Sequence, residues 1–383
     1  MTDSYPLPRK VLMTADTVGG VWTYAMELAL GLAERGVEVA LATMGGPLDE
    51  FQREKAGRIP RFKLFESTFK LEWQDDPWRD VEKAGEWLLG LEERICPDLV
   101  HLNSYVHAAL PWNVPKVVVG HSCVLSWWRA VKKESAPEEW DRYAAEVEMG
   151  LAAADLVVAP SGAMLSCLSE HYGPLPYTRV IPNGRDARQF RPGAKEPVVF
   201  SAGRLWDEAK NLAALEEVAQ RLPWPVYVAG ENHHPDGGEA RPHHTRLLGR
   251  LSQRALAAWL SRSAIYALPA RYEPFGLSVL EAALSGCALV LGDIPSLRET
   301  WRNRAVFVPP DDPDALETAL QSLIDNPDRR AALSLAARNR ALELTPERMV
   351  DSYLTAYGEI LARSGALSPA LEEESAFAAR IAV

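Results

Sequence analysis

The sequence predicts an α/β protein made of two doubly wound domains that face each other across a cleft. Short apolar runs alternate with amphipathic helical stretches in two successive series, which is typical of parallel sheets covered on both faces. The chain also has 383 residues, which is long for a single core. We expect residues 1–190 and 191–345 to form the two domains, and residues 346–383 to form a crossover helix and a tail.

The first series begins with an apolar strand at 11–14, followed by a glycine-containing loop at 16–20 and a helix that ends at Gly36. Apolar residues at spacings of three and four predict that helix, and glycine is a common helix terminator. The other predicted strands of this series are 37–42, 62–65, 99–102, 117–119 and 156–159, and its longer predicted helices are 81–94 and 138–153.

The second series follows a Pro- and Gly-containing connector at 191–193. Its predicted strands are 198–202, 226–229, 264–268, 288–291 and 305–308. Its predicted helices are 212–222, 253–262, 277–285, 313–324, 329–344 and 346–363. Ligands of doubly wound sheets bind beyond the carboxyl ends of the strands, and clefts between domains are common binding sites. The sequence therefore predicts a ligand site between the two domains.

Charge and cysteine usage narrow the class of function. The net charge of -11 disfavours nucleic acid as a partner, because phosphate binding needs a basic surface. The same charge disfavours adsorption to anionic lipid. The four cysteines have no disulfide or metal-ligand spacing. With no signal-peptide pattern and no apolar run long enough for a membrane span, these features predict a cytoplasmic protein.

One local cluster of basic residues departs from the acidic average. Its members, interleaved with apolar side chains, are Arg53, Lys55, Arg58, Arg61 and Lys63. Such a segment is typical of a solvated strand edge or loop, and a peripheral contact with a membrane surface is the alternative.

A single carboxylate interrupts the otherwise uncharged segment 276–292. In the predicted helix, Glu281 shares a face with Leu277 and Leu284. A carboxylate on a buried face is costly unless it is hydrogen-bonded or paired. It is either a structural carboxylate satisfied by a backbone cap, or a ligand contact that accepts two hydrogen bonds from a diol such as that of ribose.

The start of the same helix is a candidate anion site. Pro274, Phe275 and Gly276 lead directly into it, so unsatisfied backbone N–H groups and the positive end of the helix dipole face outward. Arg204 and Lys210 follow the first strand of the second series. A guanidinium and an ammonium group in that place can converge on a diphosphate, although two ordinary surface bases are the alternative.

Together these motifs resemble the retaining glycosyltransferases of family 4, which have the GT-B fold of two Rossmann-like domains. The resemblance runs from about residue 11 to 360, and its most specific part is the E-x7-E spacing of Glu273 and Glu281 around a Pro-Phe-Gly sequence. The other matching segments are 19–20, 181–184, 203–204, 210–211 and 293–299.

The resemblance implies a role for each matching residue on the donor side. Arg204 and Lys210 would bind the donor's phosphates and stabilise the leaving diphosphate. Glu281 would hold the ribose hydroxyls, and Leu251 would contact the base through its backbone.

The resemblance also implies which residues surround the reacting sugar. Glu273 would hold the transferred sugar, and His121 would lie beside it in the first domain. The amides of Phe275, Gly276 and Leu277 would also hold the transferred sugar and the phosphate. Gly19 and Gly20 would allow close approach of phosphate or acceptor.

The reaction implied by the resemblance transfers a hexose from a UDP- or GDP-linked donor to a hydroxyl of a small-molecule or glycan acceptor, with retention of the anomeric configuration. Fixed cations and helix-start amides would stabilise the departing diphosphate, so neither a cofactor nor a divalent metal is expected. The leaving phosphate oxygen would take the acceptor's proton. One departure from the family pattern is Arg185, which displaces the usual aspartate after Asn183-Gly184 to position 186.

Two other functions share this architecture. A nucleotide-sugar 2-epimerase would keep the phosphate contacts but would need acid and base residues and no acceptor. A non-catalytic sugar-nucleotide binder is disfavoured by the complete set of Arg204, Lys210, Glu273 and Glu281.

The first domain is expected to carry the acceptor site. Trp127, Trp128 and Arg129 form one candidate, because indole faces stack on sugars and a base can hold an anionic group. The alternative is two core tryptophans beside a solvated basic turn. The acidic surface favours a soluble acceptor over a lipid-linked one.

A histidine-rich stretch, 231–244, departs from the family pattern. Its paired histidines, His233, His234, His243 and His244, could bind a metal, but a solvated loop is the favoured interpretation because no ligand carboxylate is well placed. A substrate-specific insert is a further alternative.

Overall fold

The computed structural model describes residues 7–231 and 243–365, and its framework is two parallel sheets with helices on both faces. The first sheet contains β1 (Lys10–Asp16), β2 (Glu38–Met44), β3 (Phe62–Glu66), β4 (Leu99–Leu102), β5 (Lys116–Val119), β6 (Leu156–Ala159) and β7 (Thr178–Val180). The second contains β8 (Glu196–Ala202), β9 (Val226–Ala229), β10 (Arg246–Leu247), β11 (Ser263–Leu268), β12 (Ala288–Gly292) and β13 (Val306–Val308).

Thirteen α-helices within the described residues cover the two sheets. They are α1 (Gly20–Glu34), α2 (Glu50–Gly57), α3 (Trp78–Ile95), α4 (Val124–Val131), α5 (Asp141–Ala153), α6 (Gly162–Tyr172), α7 (Leu212–Ala219), α8 (Gln253–Arg262), α9 (Leu277–Leu284), α10 (Pro295–Trp301), α11 (Pro313–Asp325), α12 (Pro327–Ala341) and α13 (Pro346–Ser364). Short 3-10 helices at Val106–Ala109, Glu138–Trp140 and Glu208–Lys210 complete the set.

Each sheet reverses its strand order at one point. The first has the order β3-β2-β1-β4-β5-β6-β7, and the second has the order β10-β9-β8-β11-β12-β13. The reversal therefore falls between β1 and β4 in one domain and between β8 and β11 in the other. Loops leave in opposite directions at such a point and open a crevice beyond the strand ends. The fold is the predicted pair of doubly wound α/β domains.

The central strands are almost fully buried because helices cover both faces. Every residue of β4, β6, β11 and β12 is buried, as the continuous apolar runs predict. By contrast, β7 and β10 are short edge strands with exposed residues, and neither has the apolar pattern that would predict it. The predicted helix at 138–153 begins with a 3-10 turn, and the one at 212–222 ends at Ala219.

The last helix returns to the first domain. α13 packs on α1, where a Cβ added to Gly31 would lie 2.4 Å from Cγ2 of Val350, so a glycine is needed for this close approach. Buried Tyr353 and Tyr357 extend the first domain's core from α13, and the Tyr357 hydroxyl lies 2.6 Å from Nδ1 of His101.

The basic cluster lies on α2 and the edge strand β3. Arg53 pairs with Glu66, Lys63 pairs with Glu38 at 2.8 Å, and both pairs are solvent-exposed or half-buried. The exposed pairs of Arg53 and Lys63 fit the solvated strand edge, whereas Lys55 is only partly exposed and faces Glu27 and Glu281. A peripheral membrane contact stays a prediction. Within the ranges 7–231 and 243–365, no helix combines the length and apolar character needed to cross a bilayer. The cytoplasmic location stays a prediction too.

Candidate functional site

The segment between β11 and α9 turns sharply at Gly276. Its φ of 87° is in the left-handed region, and a Cβ there would lie 3.0 Å from Cγ2 of Val279, so only glycine fits without strain. No side chain caps α9. The amides of Phe275, Gly276 and Leu277 thus lie at the start of a helix whose orphan N–H groups are suited to an anion.

The glycine loop of the first domain lies directly against this helix start. A Cβ added to Gly20 would lie 3.5 Å from Cδ1 of Leu277, and one added to Gly19 would lie 4.0 Å from Cδ of Arg204. Gly19 also has a φ of 97°, which allows α1 to begin at the very next residue. The structure therefore places the two predicted glycines across the cleft from the predicted phosphate-binding groups.

Lys210 and Glu273 form a half-buried ion pair on the second domain's side of the cleft. The Lys210 Nζ lies 2.7 Å from Oε2 of Glu273, and the side chains are 14% and 15% exposed. Asn211 fixes the lysine's position, since it adopts a left-handed conformation and donates from Nδ2 to the carbonyl oxygens of Pro269 and Pro310. The lysine and the first glutamate of the E-x7-E motif are thus brought together.

Arg204 is held by a neighbouring carboxylate rather than by the motif glutamates. Its guanidinium lies 3.2 Å from Oδ2 of Asp207, and its side chain remains 37% exposed toward the cleft. Burial alone would raise the pKa of Asp207, but the charges of Lys210 and Arg204 and the N–H of Trp127 lower it below its usual value. Asp207 is therefore an anion that orients Arg204, one of the two cations predicted to meet the diphosphate.

Glu281 belongs to a buried charge cluster that joins the two domains. Arg185 donates from Nε to Oε1 of Glu281 at 2.8 Å and also pairs with Glu27 on α1. The three side chains are only 2%, 8% and 5% exposed, respectively. The structural partner of Glu281 is thus the Arg185 guanidinium and not a backbone cap. Among the described residues, Oε2 of Glu281 has no hydrogen-bond donor, so this oxygen is free to accept one.

The electrostatics of this cluster reflect its burial. Desolvation raises the pKa of Glu281, and the charge and hydrogen bonds of Arg185 oppose that rise. Desolvation also lowers the pKa of Lys55, which faces the cluster from α2 while Glu27 opposes the shift. Two carboxylates and two cations therefore share one poorly solvated region, where opposite charges offset part of the cost of burial.

His121 lies at the end of β5, on the first domain's side. Its Nε2 is 2.8 Å from Oδ1 of Asn103, and its ring meets the ring of Tyr24 edge-on at 4.6 Å. Since the amide oxygen accepts, Nε2 carries the proton in this assignment. Burial lowers the pKa of His121 to about 3, so the ring is neutral at neutral pH. Asn103 is fixed in turn by two hydrogen bonds to Thr14.

The tryptophan stretch forms α4 and reaches across the domain interface. Trp127 donates from Nε1 to Oδ1 of Asp207 at 3.0 Å, and its ring meets that of Trp128 edge-on. Arg129 points away and pairs with Glu170. Trp127 therefore supports the carboxylate that orients Arg204. A direct acceptor contact by Trp127, Trp128 or Arg129 stays a prediction.

Leu251 follows β10 and is half-buried against the second domain's core, just before the Ser252 cap of α8. Its contact with a base stays a prediction. Of the histidine-rich stretch, His243 and His244 donate backbone N–H groups to Glu216, whereas His233 and His234 lie outside the described residues. Within the described part of the chain, no three potential ligand side chains converge on a metal position.

Further contacts hold the two domains together beside the cleft. Glu299 of α10 accepts the backbone N–H groups of Gly162 and Ala163, at 2.8 and 2.9 Å, and so caps α6 of the other domain. The Ser161 hydroxyl donates to the carbonyl oxygen of Pro274, next to the predicted anion site. The described conformation thus has the domains closed on each other.

Two family models match successive parts of the chain. Glycosyltransferase Family 4 matches residues 18–189, and Glycosyl transferases group 1 matches residues 184–340. The two models meet where the first sheet gives way to the second. The chain belongs to this glycosyltransferase group, and its two-domain α/β architecture is the GT-B fold.

Individual relatives agree with this membership. A glycogen synthase of Mycobacterium tuberculosis is 31% identical over 282 residues, a match that covers 66% of this chain and 66% of that protein. A D-inositol 3-phosphate glycosyltransferase of Geodermatophilus obscurus is 26% identical over 404 residues, covering 90% of this chain and 85% of the relative.

Solved structures show the same fold. A sucrose-phosphate synthase from Thermosynechococcus elongatus superposes with a TM-score of 0.79 at 20% identity, covering 93% of this chain and all of that one. HepE of Anabaena, in complex with UDP and glucose, gives a TM-score of 0.71 at 15% identity and covers 92% of this chain and 100% of its own.

Sequence reasoning missed several residues that the structure brings to the cleft. Glu27 was recognisable in principle, because it is the only charged residue in the first thirteen of α1. Asp207 and Asn103 follow strand ends and could have been found by position. Arg185 and Glu281 are 96 positions apart in the chain, and no local sequence pattern predicts their pairing.

Proposed function

We propose that this protein is a retaining glycosyltransferase that moves a hexose from a UDP- or GDP-linked donor to an acceptor hydroxyl. The observation that carries the proposal is the convergence of Arg204, Lys210, the start of α9 and the Gly19-Gly20 loop on one interdomain cleft. Cations, helix-start amides and close backbone approach are the features that recognise a diphosphate.

The electrostatic arrangement supports catalysis as well as binding. Negative charge grows on the β-phosphate as the bond to the anomeric carbon breaks. Arg204 and Lys210 are already oriented by Asp207 and Glu273, so little reorganisation is needed to stabilise that charge. On this basis we propose that the reaction needs no divalent metal. The leaving phosphate oxygen takes the acceptor's proton as the new glycosidic bond forms on the same face of the sugar.

The ribose contact in this proposal falls to Glu281. Arg185 occupies Oε1 and leaves Oε2 to accept from a ribose hydroxyl. Glu273, beside Lys210, contacts the transferred sugar, and the neutral ring of His121 faces it from the first domain. With Nε2 donating to Asn103, the Nδ1 of the neutral ring can accept a hydrogen bond from a sugar hydroxyl without adding charge beside the departing group.

A thermal-shift screen of nucleoside diphosphates and their hexose conjugates tests donor binding, and assay of donor with candidate acceptors tests transfer. NMR of the product's anomeric proton determines retention or inversion. A donor-only incubation is included, because epimerisation of the sugar without acceptor would instead identify a nucleotide-sugar 2-epimerase. An inverted product, or no stabilisation by any sugar nucleotide, would refute the proposal.

Two variants test the site. Lys210→Ala is expected to lower kcat by roughly 100- to 1,000-fold, the effect of removing one preorganised group that stabilises transition-state charge. Glu281→Ala is expected to raise the donor KM and lower turnover while leaving the fold intact, because Arg185 keeps Glu27 as its partner. Lys63→Ala, which removes an exposed lysine paired with Glu38, is the matched control. Wild-type turnover in both site variants would contradict the assignment.

A further inference from the structure

A small crevice opens in the first domain where its strand order reverses. It lies beyond the carboxyl ends of β1 and β4 and has a volume of about 30 Å³. That is room for about two hydroxyl groups, since a water needs roughly 10–15 Å³ of such space. The polar and aromatic residues that line it include Asp16, Glu72, Trp73, Asn103 and Ser104.

The two carboxylates of the crevice are fixed from behind by backbone groups. Glu72 accepts the N–H groups of Tyr105 and Val106 at 3.1 Å, and it is only 7% exposed. Asp16 accepts the N–H of Val18 at 3.0 Å. A carboxylate has about four acceptor positions, so each side chain keeps capacity for further donors from the crevice.

The crevice adjoins the cleft in which the donor is proposed to react. The positive charge of Arg204 acts on Asp16 from the second domain. Asn103 lines the crevice and at the same time accepts from His121 at 2.8 Å. A molecule held in the crevice therefore lies next to the proposed sugar position, where an attacking hydroxyl is needed.

No basic side chain lines the crevice among the described residues. Two cations near the crevice are directed elsewhere. Lys70 donates to the carbonyl oxygen of Asp75. Arg204 is held by Asp207. A phosphate group in the crevice would face two acidic side chains with no basic side chain in the lining to bind it, in a space too small for its oxygens. Such unpaired charge is an effective means of rejecting a ligand.

We propose that this crevice is the inner part of the acceptor site and that it selects an uncharged sugar or polyol over a phosphorylated one. Hydroxyl groups of the acceptor donate to Asp16 and Glu72, and Trp73 contacts its carbon face. The acceptor oxygen forms the new bond to the anomeric carbon while the bond to the diphosphate breaks, and the proton leaves with the diphosphate. This inference rests on the glycosyltransferase function proposed above.

The test compares neutral monosaccharides, disaccharides and cyclic polyols with the monophosphate esters of the same compounds. Release of nucleoside diphosphate is measured with the donor found by thermal shift. We expect kcat/KM to be at least tenfold higher for a neutral acceptor than for its phosphate ester. A preference for the phosphate ester would overturn the inference. Hydrolysis of the donor without transfer to any neutral acceptor would overturn it as well.

Two variants test whether the acceptor preference arises in the crevice. Glu72→Gln keeps an acceptor oxygen for the backbone but loses the charge that Glu72 carries at pH 8, and at that pH it is expected to raise the KM of the neutral acceptor about tenfold or more. Asp75→Asn removes the same charge from an exposed side chain nearby and is expected to leave that KM unchanged. An unchanged KM in Glu72→Gln would overturn the assignment of the crevice.

The stabilisation of both variants by the donor is measured in parallel. If a variant is still stabilised by the donor but has an altered acceptor preference, the effect lies in the acceptor site and not in the donor binding on which the proposed function depends. If the wild-type protein binds no sugar nucleotide, the proposed function itself fails, and the inference fails with it.

Discussion

Replacing Arg185 by methionine tests the buried charge cluster between the domains. Methionine fills a similar volume but leaves Glu27 and Glu281 without their shared guanidinium, in a region where their side chains are 5% and 8% exposed. Removing one partner of a buried ion pair costs about 3–5 kcal/mol, because the remaining charge is neither solvated nor compensated. We therefore expect the free energy of unfolding of Arg185→Met to fall by that amount at pH 8.

The pH dependence of this deficit distinguishes a charge effect from lost packing. Burial already raises the pKa of Glu281, and Arg185 opposes the rise. Without Arg185 the pKa rises further, so this carboxyl binds a proton in the folded variant as the pH falls, and the uncompensated charge disappears. The deficit relative to wild type should therefore be largest at pH 8 and should shrink toward pH 5.

Urea unfolding followed by tryptophan fluorescence at both pH values measures the effect. Arg58→Met is the control, since its pair with Glu54 is exposed and is worth at most about 1 kcal/mol. Adding Glu27→Gln to Arg185→Met should restore part of the stability, because one of the two stranded charges is removed. A variant as stable as wild type at pH 8, or a deficit independent of pH, would refute this account of the cluster.

Three further predictions concern chemistry and local structure. Transfer activity should persist in excess EDTA, and a strict requirement for a divalent cation would contradict the electrostatic role of Arg204 and Lys210. Burial raises the pKa of Glu72 to about 7, so its ionisation costs stability as the pH rises from about 4.5 through 7. Between pH 4.5 and pH 8, the free energy of unfolding of Glu72→Gln should therefore rise by about 3 kcal/mol relative to that of wild type, as measured by urea titration. The same difference between the two proteins at both pH values would refute this prediction. Gly276→Ala should lose roughly 1–3 kcal/mol of stability, because its φ of 87° and the Val279 contact at 3.0 Å oppose a Cβ. Thermal unfolding measures this loss, and an unchanged melting temperature would show that α9 can shift to accommodate the Cβ.

The sequence predicted the parts of the fold that depend on burial. The apolar runs of β4, β6, β9 and β12 coincide with the strands to within one residue, because strands covered on both faces must be apolar throughout. The edge strands β7 and β10 were missed, since an edge strand has one unpaired side and needs no such run. Helix α4 was not predicted because its boundaries depend on the Cys123 cap and on packing across the interface.

Parts of the candidate site were predictable where a local pattern carries them. Glycine before a helix start and a lone carboxylate on an apolar face identified Gly276 and Glu281. The crevice residues Asp16 and Glu72 were not found, because they are 56 positions apart in the chain and converge only when β1 and β4 pair. The partner of Glu281 was missed for the same reason.

The two passages of the chain between the domains lie side by side. A Cβ on Gly184 would lie 2.2 Å from the carbonyl oxygen of Thr345, and the Arg185 N–H donates to the carbonyl oxygen of Leu344 at 3.1 Å. The two covalent connections between the domains therefore lie at a single pivot, and a rotation of one domain about it would change the backbone dihedral angles of only a few residues. Arg185 sits at that pivot with its charge spread between α1 and α9. A rotation that opens the cleft would break the cap that Glu299 places on α6, whereas Glu281, which pairs with Arg185 beside the pivot, would move least.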